Sequence, residues 1–206
     1  IENMQNITQG LLKISVVIPV YNSETIIPEL ISRIKKTMEG LSFSSCDYEI
    51  ILVNDHSYDH SWDVIKKVAS TNEFIKGISL SKNCGQWQAT LAGISKSSGQ
   101  YIVTIDDDLQ YEPADIAKLY KHITSEKLKV VFGIPERKYL LEGKNQQIST
   151  IRKKIMHKIW NSPLTDSFRI ISRNAVFDGT TFMPKVFIDA FLTRHIAKEQ
   201  MAHITV

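Results

Sequence analysis

The sequence has no run of 18 apolar residues, so no segment reads as a membrane-spanning helix. Residues 1–10 are polar and contain no hydrophobic signal core. Cysteine is scarce: Cys46 and Cys84 are the only two, and a lone pair in a chain of this size reads as reduced thiols in a reducing compartment. Low-complexity tracts are absent and charged residues make up 23%, which argues against a disordered chain. Two phosphate-binding signatures are also missing. There is no G-x-x-x-x-G-K-[ST] loop, and no G-x-G-x-x-G follows the first apolar run. A phosphate-bearing ligand would then rest on a cation and on basic side chains. His56, His60, His122, His157, His195 and His203 are scattered without metal-ligand spacing and read as surface or structural residues.

What is present is apolar material, 43% of 206 residues, enough for one sizeable core. Residues 1–12 read as an N-terminal extension and 13–206 as a single domain. The net charge of +3 is unevenly spread. Residues 1–110 hold nine Lys/Arg against thirteen Asp/Glu, and the rest hold sixteen against nine. The densest part, 143–165, contains Lys144, Arg152, Lys153, Lys154 and Lys158 and no acid. It reads either as a solvated helix face or as a surface that meets anionic phosphate or lipid headgroups. No nucleic-acid partner is expected.

Ile14–Val20 (ISVVIPV) is largely β-branched and reads as a buried strand. Ile26, Ile27, Leu30, Ile31, Ile34 and Met38 then recur at helical spacing, with Pro28 tolerated in the first turn and Gly40 ending the helix. The alternation continues, with strands at 49–53, 75–80, 101–105 and 129–132. Helices fall at 61–69, with Ser61 as its cap, at 86–95 and at 114–123. Beyond these the pattern predicts a helix near 147–160, a strand near 168–171, a helix near 185–198 and a last strand at 202–206. Trp62, Trp87 and Trp160 fall in predicted helices and read as core packing. The order predicts an α/β fold with a mostly parallel sheet and helices on both faces.

In such folds ligands gather at the carboxyl ends of the strands. Pro19-Val20-Tyr21-Asn22 closes the first strand and Asn54-Asp55-His56-Ser57 follows the second. Ser81-Lys82-Asn83-Cys84-Gly85 follows the third, and Asp106-Asp107-Asp108-Leu109-Gln110 the fourth. Adjacent carboxylates repel and raise each other's pKa unless neutralised, and a divalent cation does so directly. Along an extended segment Asp106, Asp108 and Gln110 project to one side. Two carboxylates and an amide oxygen suit a hard ion, Mg2+ or Mn2+, completed by water and substrate phosphate. The plain alternative is an acidic loop with no ion.

The segments ISVVIPVYNSE, EIILVNDHSYDHS, LSKNCGQWQATLAGI and YIVTIDDDLQYEP resemble successive blocks of the family-2 glycosyltransferases, which have the Rossmann-like GT-A fold. Within them, KNCGQ and DDDLQ, with TDSFRIISR at 165–173, resemble the polyprenyl-phosphate branch, which includes dolichyl-phosphate mannose synthases and bacterial relatives. The resemblance implies roles by position. Tyr21 and Asp55 match residues that hold the base and ribose of a nucleotide-sugar donor, and Pro19 shapes that wall. Lys82, Asn83 and Asp107 fall where the family approaches the donor. Asp106, Asp108 and Gln110 match the metal site at the catalytic centre. Arg169 and Arg173 match positions near the diphosphate and acceptor. The sequence departs from the family pattern in three places. Ser23 follows Asn22 where the family reads Glu, and Asn54 precedes Asp55 where it often has Asp. Gly133-Ile134-Pro135-Glu136-Arg137 stands where it has Gly-Thr/Ser-Arg.

The reaction implied is an inverting sugar transfer from the nucleotide-sugar to an acceptor. A hydroxyl acceptor needs a general base, and the Glu-Asp pair that such family members often carry late in the domain does not occur in this sequence. A phosphate acceptor is already ionised. Polyprenyl phosphate is therefore the expected acceptor, with Arg169 and the basic segment as anion partners. The alternatives are transfer to a saccharide hydroxyl in cell-surface polysaccharide synthesis and a non-catalytic nucleotide-sugar-binding module. A metal-dependent phosphohydrolase also carries Asp-x-Asp, but usually after the first strand of its domain. Members of this branch commonly continue into a basic motif, an amphipathic segment and membrane helices. The expectation is a chain cut short of these, acting on the cytoplasmic side at the inner face of the cell membrane.

Overall fold

The structure, a computed structural model, describes residues 12–134, 167–177 and 196–206. Strand β1 (Ile14–Val20) is buried along its whole length, and its side chains alternate between two separate cores. Ile14, Val16, Ile18 and Val20 point into one, and Val17 into the other. Strand β2 (Tyr48–Asn54) pairs in parallel with β1 and divides the same way: Ile50 and Leu52 join the first core, Ile51 and Val53 the second. Strands apolar on both sides are what a sheet covered by helices on both faces requires.

Helix α1 (Ile27–Gly40) buries Ile27, Leu30, Ile31, Ile34 and Met38 against the first core. Pro28 sits in its first turn, where a backbone N–H has no intrahelical partner to lose. Each fully buried side chain of this size contributes about 1.5–3 kcal/mol, so the apolar stripe docks the helix. Helices α2 (Ser61–Thr71) and α4 (Ile116–Ser125) pack on the same face, through Ile65 and through Ile116, Leu119 and Ile123. Ser61, expected as the cap of α2, is its first helical residue. His60 stands at the cap, and the Ser61 hydroxyl instead accepts a hydrogen bond from Ser23 N at 2.8 Å. Helix α3 (Gln86–Lys96) covers the opposite face through Ala89 and Ile94. It lies so close to β1 that a Cβ on Gly93 would stand 2.3 Å from Val17 Cγ1. Glycine there lets the helix settle onto the sheet with its N-terminus at the strand ends.

The remaining strands are β3 (Ile75–Ser79), β4 (Tyr101–Thr104), β5 (Val130–Ile134), β6 (Arg169–Ser172) and β7 (Met201–Thr205). The sheet order is β3-β2-β1-β4-β6-β5-β7. The first four strands are parallel, β6 runs antiparallel to both β4 and β5, and β7 is parallel to β5. The expected fold class is therefore observed, with one antiparallel strand inside the sheet. Trp62 and Trp87 pack half-buried against the two cores, and both cysteines are unpaired. No helix among the described residues is long and apolar enough to cross a membrane. The helix expected near 147–160, most of that near 185–198, Trp160 and the basic segment 143–165 lie outside the described residues.

At the amino ends of the strands a buried carboxylate is met by two donors and a lysine. Ser15 Oγ and Ser98 N each donate to Glu49 Oε1 at 2.6 Å, and the Lys76 ammonium lies 2.6 Å from Oε2. Burial is the largest influence and pushes Glu49 upward. The Lys76, Ser15 and Ser98 donors together outweigh it and hold the carboxyl below its usual range.

Candidate active site

The carboxyl ends of β1, β2, β3 and β4 converge on a cavity of about 340 Å³. Pro19, Val20 and Tyr21 line it from β1, and Asp55 from the residue after β2. Asn83, Gly85 and Gln86 line it from the approach to α3, and Asp106, Asp107 and Asp108 from the turn after β4. The structure thus brings together Pro19, Tyr21, Asp55, Asn83 and the three aspartates, all singled out from sequence.

The loops around the cavity hold one another. Asp55 is 3% exposed, and both its oxygens accept backbone donors: Oδ1 from Cys84 N at 2.7 Å and Oδ2 from Gly85 N at 2.8 Å. Gly85 has φ +88°, a conformation that L side chains rarely adopt, so glycine is required where the chain turns into α3. Asn22 (φ +54°) and His56 (φ +58°) are also left-handed. Their loops interlock, since Asn22 N donates to Ser57 Oγ at 3.0 Å and Tyr58 N to Asn22 Oδ1 at 2.8 Å. Non-glycine residues held in this region cluster at functional sites. Tyr21, 43% exposed, presents its ring at the rim beside Tyr58, with ring centroids 6.4 Å apart.

The acidic segment is a turn and not the extended run expected, with Leu109 at φ +57°. Asp106 and Asp107 point different ways. Asp106 Oδ1 accepts Gln86 Nε2 and Oδ2 accepts Ser167 Oγ, each at 2.5 Å. Asp107 Oδ2 accepts Tyr21 N at 3.0 Å and Ser23 Oγ at 2.5 Å. Asp108 is exposed, and its Oδ1 accepts Gln110 N at 3.0 Å. Burial pushes Asp106 up to about 6, opposed by the Ser167 and Gln86 donors and reinforced by the charges of Asp108 and Asp107. Burial likewise raises Asp107, opposed by Ser23 and Tyr21. The contrast with Glu49 is instructive: among the described residues no Lys or Arg forms an ion pair with any of the three aspartates.

Asp106 and Asp108 both line the cavity, and a carboxylate oxygen can accept more than one partner, which fits a hard divalent ion shared with a ligand's own oxygens. It does not fit an all-protein cage. Among the described residues no group of three or more His, Cys, Asp or Glu could hold a metal.

Lys82, Gln110 and Arg173 are placed away from the cavity lining, and Arg169 is buried in the sheet beside the acid turn. Lys82 is exposed and outside the cavity lining, and its carbonyl oxygen accepts Cys84 Sγ at 3.3 Å. Gln110 is exposed and outside the lining because the turn carries it past Asp108. Arg169 is 1% exposed, beside Thr104 in the sheet, with its guanidinium carbon 5.5 Å from the Trp87 ring centroid. Arg173 lies at the far end of the sheet, where it donates to Ser97 O at 2.7 Å. Antiparallel β6 runs away from the cavity, and four residues of strand span roughly 13 Å. Sequence reasoning also missed three residues that brace the site: Ser23, Gln86 and Ser167. Gln86 stood within the KNCGQ block, and Ser23 was visible as a departure from the family pattern. Ser167 stood within the TDSFRIISR block, two residues before Arg169.

The model of the family described as glycosyl transferase family 2 matches residues 15–190. The chain belongs to glycosyl transferase family 2. Among curated proteins, this family 2 chain is similar to an undecaprenyl-phosphate 4-deoxy-4-formamido-L-arabinose transferase from Aeromonas hydrophila subsp. hydrophila, 39% identical over 107 residues. The match covers 52% of this chain and 32% of that protein, so it spans about a third of that relative's length. Among solved structures, glucosyl-3-phosphoglycerate synthase from Mycobacterium tuberculosis, in complex with Mn2+, UDP-glucose and phosphoglyceric acid, is similar with a TM-score of 0.67 at 18% identity. That likeness covers 94% of this chain and 69% of that one. The mannosyltransferase PcManGT from Pyrobaculum calidifontis, in complex with GDP-Man and Mn2+, is similar with a TM-score of 0.66 at 15% identity. It covers 94% of this chain and 54% of that one. At these identities the two structures establish the GT-A fold.

Proposed function

We propose that this family 2 chain is the catalytic domain of an inverting glycosyltransferase that moves a sugar from a nucleotide-sugar donor to polyprenyl phosphate with Mg2+ or Mn2+. The observation that carries the reading is the cavity at four parallel strand ends. It joins an exposed aromatic ring, Tyr21, to a carboxylate pair, Asp106 and Asp108, that has no ion-pairing Lys or Arg among the described residues. Tyr21 and Asp55 serve the base and ribose end, and Pro19 and Asn83 complete that wall. Asp106 and Asp108 hold the ion, which when bound neutralises the donor diphosphate and the charge departing with the nucleotide. Gln86 and Ser167 hold the Asp106 carboxylate in place. Asp55 sets the turn that delivers Gln86.

The acceptor reading has support of two kinds. The similar Aeromonas protein is named for an undecaprenyl-phosphate acceptor. The sequence also contains no Glu-Asp pair to act as a base on a hydroxyl, and a phosphate needs none. Among the described residues, Arg169, buried beside the acid turn, is the sheet cation assigned this role. Arg173 is not, since it faces the opposite end. Such an acceptor implies work at the cytoplasmic face of a membrane. Incubating the chain with radiolabelled nucleotide sugars, with and without polyprenyl phosphate, tests the reading. Label entering lipid supports it, sugar phosphate without lipid product supports phosphohydrolysis, label entering a saccharide supports the hydroxyl alternative, and binding without turnover supports the module.

A further inference from the structure

Three consecutive aspartates do not form one ligand set here. The middle one, Asp107, turns its Oδ2 away from Asp106 and Asp108 and onto the loop after β1, accepting Tyr21 N at 3.0 Å and Ser23 Oγ at 2.5 Å. Ser23 is itself a junction. It is 7% exposed, its N donates to Ser61 Oγ at the start of α2, and its carbonyl receives Ile26 N and Ile27 N at the start of α1. The next residue continues the clasp: Glu24 N donates to Asp59 Oδ2 at 3.1 Å, and His60 N to Glu24 Oε2 at 2.7 Å. Between Tyr21 and Ser23 stands Asn22 at φ +54°. The loop that presents Tyr21 is therefore held in an uncommon conformation from below by Asp107 and from the side by the α2 loop.

We infer that Asp107 is a positioning residue: with Ser23 it ties the Asp106/Asp108 turn to the Tyr21 loop, so that the metal end and the base end of the donor site move as one unit. This rests on the proposed donor site. It assigns Asp107 no contact with metal or sugar. A carboxylate oxygen that already accepts an N–H and an O–H is a fixed anchor, and hydrogen bonds to a charged acceptor are the strong ones. Serine at position 23 suits the role because its short hydroxyl reaches Asp107 while its backbone serves two helices. Asparagine at 107 preserves an oxygen acceptor for both donors, whereas alanine removes it.

The test compares the parent chain with Asp107→Asn and Asp107→Ala. UDP and GDP binding is measured by calorimetry in EDTA and in Mn2+, and amide hydrogen exchange is followed at Tyr21 and Ser23. The expected result is that Asp107→Ala, which loses both the Tyr21 N and the Ser23 Oγ hydrogen bonds, weakens binding by about tenfold in both buffers, because neither bond touches the ligand and only part of their loss reaches it. The enhancement by Mn2+ should stay as in the parent, and Asp107→Asn should restore affinity. Exchange at Tyr21 should speed up in the alanine variant only. The inference is overturned if Asp107→Asn abolishes the Mn2+ enhancement while EDTA affinities stay equal, because Asp107 would then be a metal ligand. If the parent binds neither nucleotide, the donor reading fails, and the exchange data alone decide the tie. Faster exchange at Tyr21 in Asp107→Ala but not in Asp107→Asn upholds it, and equal exchange in all three chains refutes it.

Discussion

Replacing Asp55 by alanine removes the acceptor for two backbone amides at once, Cys84 N and Gly85 N, at 2.7 and 2.8 Å. Hydrogen bonds to a charged group contribute about 1.5–3 kcal/mol each. Cys84 and Gly85 are only half-buried, so water partly serves the freed amides, and the lower end applies: a loss of about 3 kcal/mol for the pair. In a chain of this size that lowers Tm by roughly 6–12 °C. Asp55→Asn keeps one acceptor but turns an NH2 toward the second amide, and should cost about 2 kcal/mol. Urea unfolding followed by tryptophan fluorescence measures both. The loss reaches function because Gly85 opens α3, and Gln86, the next residue, holds Asp106. Because Asp55 also lines the cavity at the proposed base and ribose end, nucleoside and nucleoside diphosphate binding should weaken together. An Asp55→Ala chain within about 0.5 kcal/mol of the parent, with unchanged nucleotide binding, would refute the argument.

Asp108→Asn should leave the Tm of the metal-free chain nearly unchanged, because the side chain is exposed. It should also reduce Mn2+-dependent nucleoside diphosphate affinity by about tenfold or more, and unchanged affinity in calorimetry would remove Asp108 from the site. Glu49 supplies a pH dependence unrelated to the cavity. Its folded pKa is depressed, so its contribution is fully present above the unfolded value of about 4.3 and is lost as pH falls through the folded value. Glu49→Gln should thus destabilise at neutral pH, with the gap to the parent closing under acid. A gap that stays constant on acidification contradicts the account.

The parallel half of the sheet was legible because its strands are apolar on both faces and its helices carry a clean stripe, as in Ile27 to Met38. The convergence of the site followed from topology, since four parallel strands must end on one side. What was not legible depends on tertiary partners. Ser61 looks like a helix cap, but a distant amide, Ser23 N, claims its hydroxyl. The acid segment looks like a continuing strand. In fact the Asp108 carboxylate bonds Gln110 N, closing a local turn that reverses the alternation and carries the Gln110 side chain away. Arg173 shares a motif with Arg169, and only the antiparallel direction of β6 shows that the two face opposite ends. Ser167, which braces Asp106, lies in the TDSFRIISR block, but its role could not be read there because it is set by where β6 enters the sheet.

The central claim is that the four strand ends form a nucleotide-sugar site completed by a divalent ion. Calorimetric titration of UDP and GDP into the full chain, with Mn2+ and then with excess EDTA, tests it most directly. The account predicts that at least one nucleotide binds with Mn2+, that EDTA removes most of the affinity, and that Asp106→Asn with Asp108→Asn does the same. Binding that is as tight in EDTA and in the doubly substituted chain, or no binding of either nucleotide with Mn2+, would contradict it.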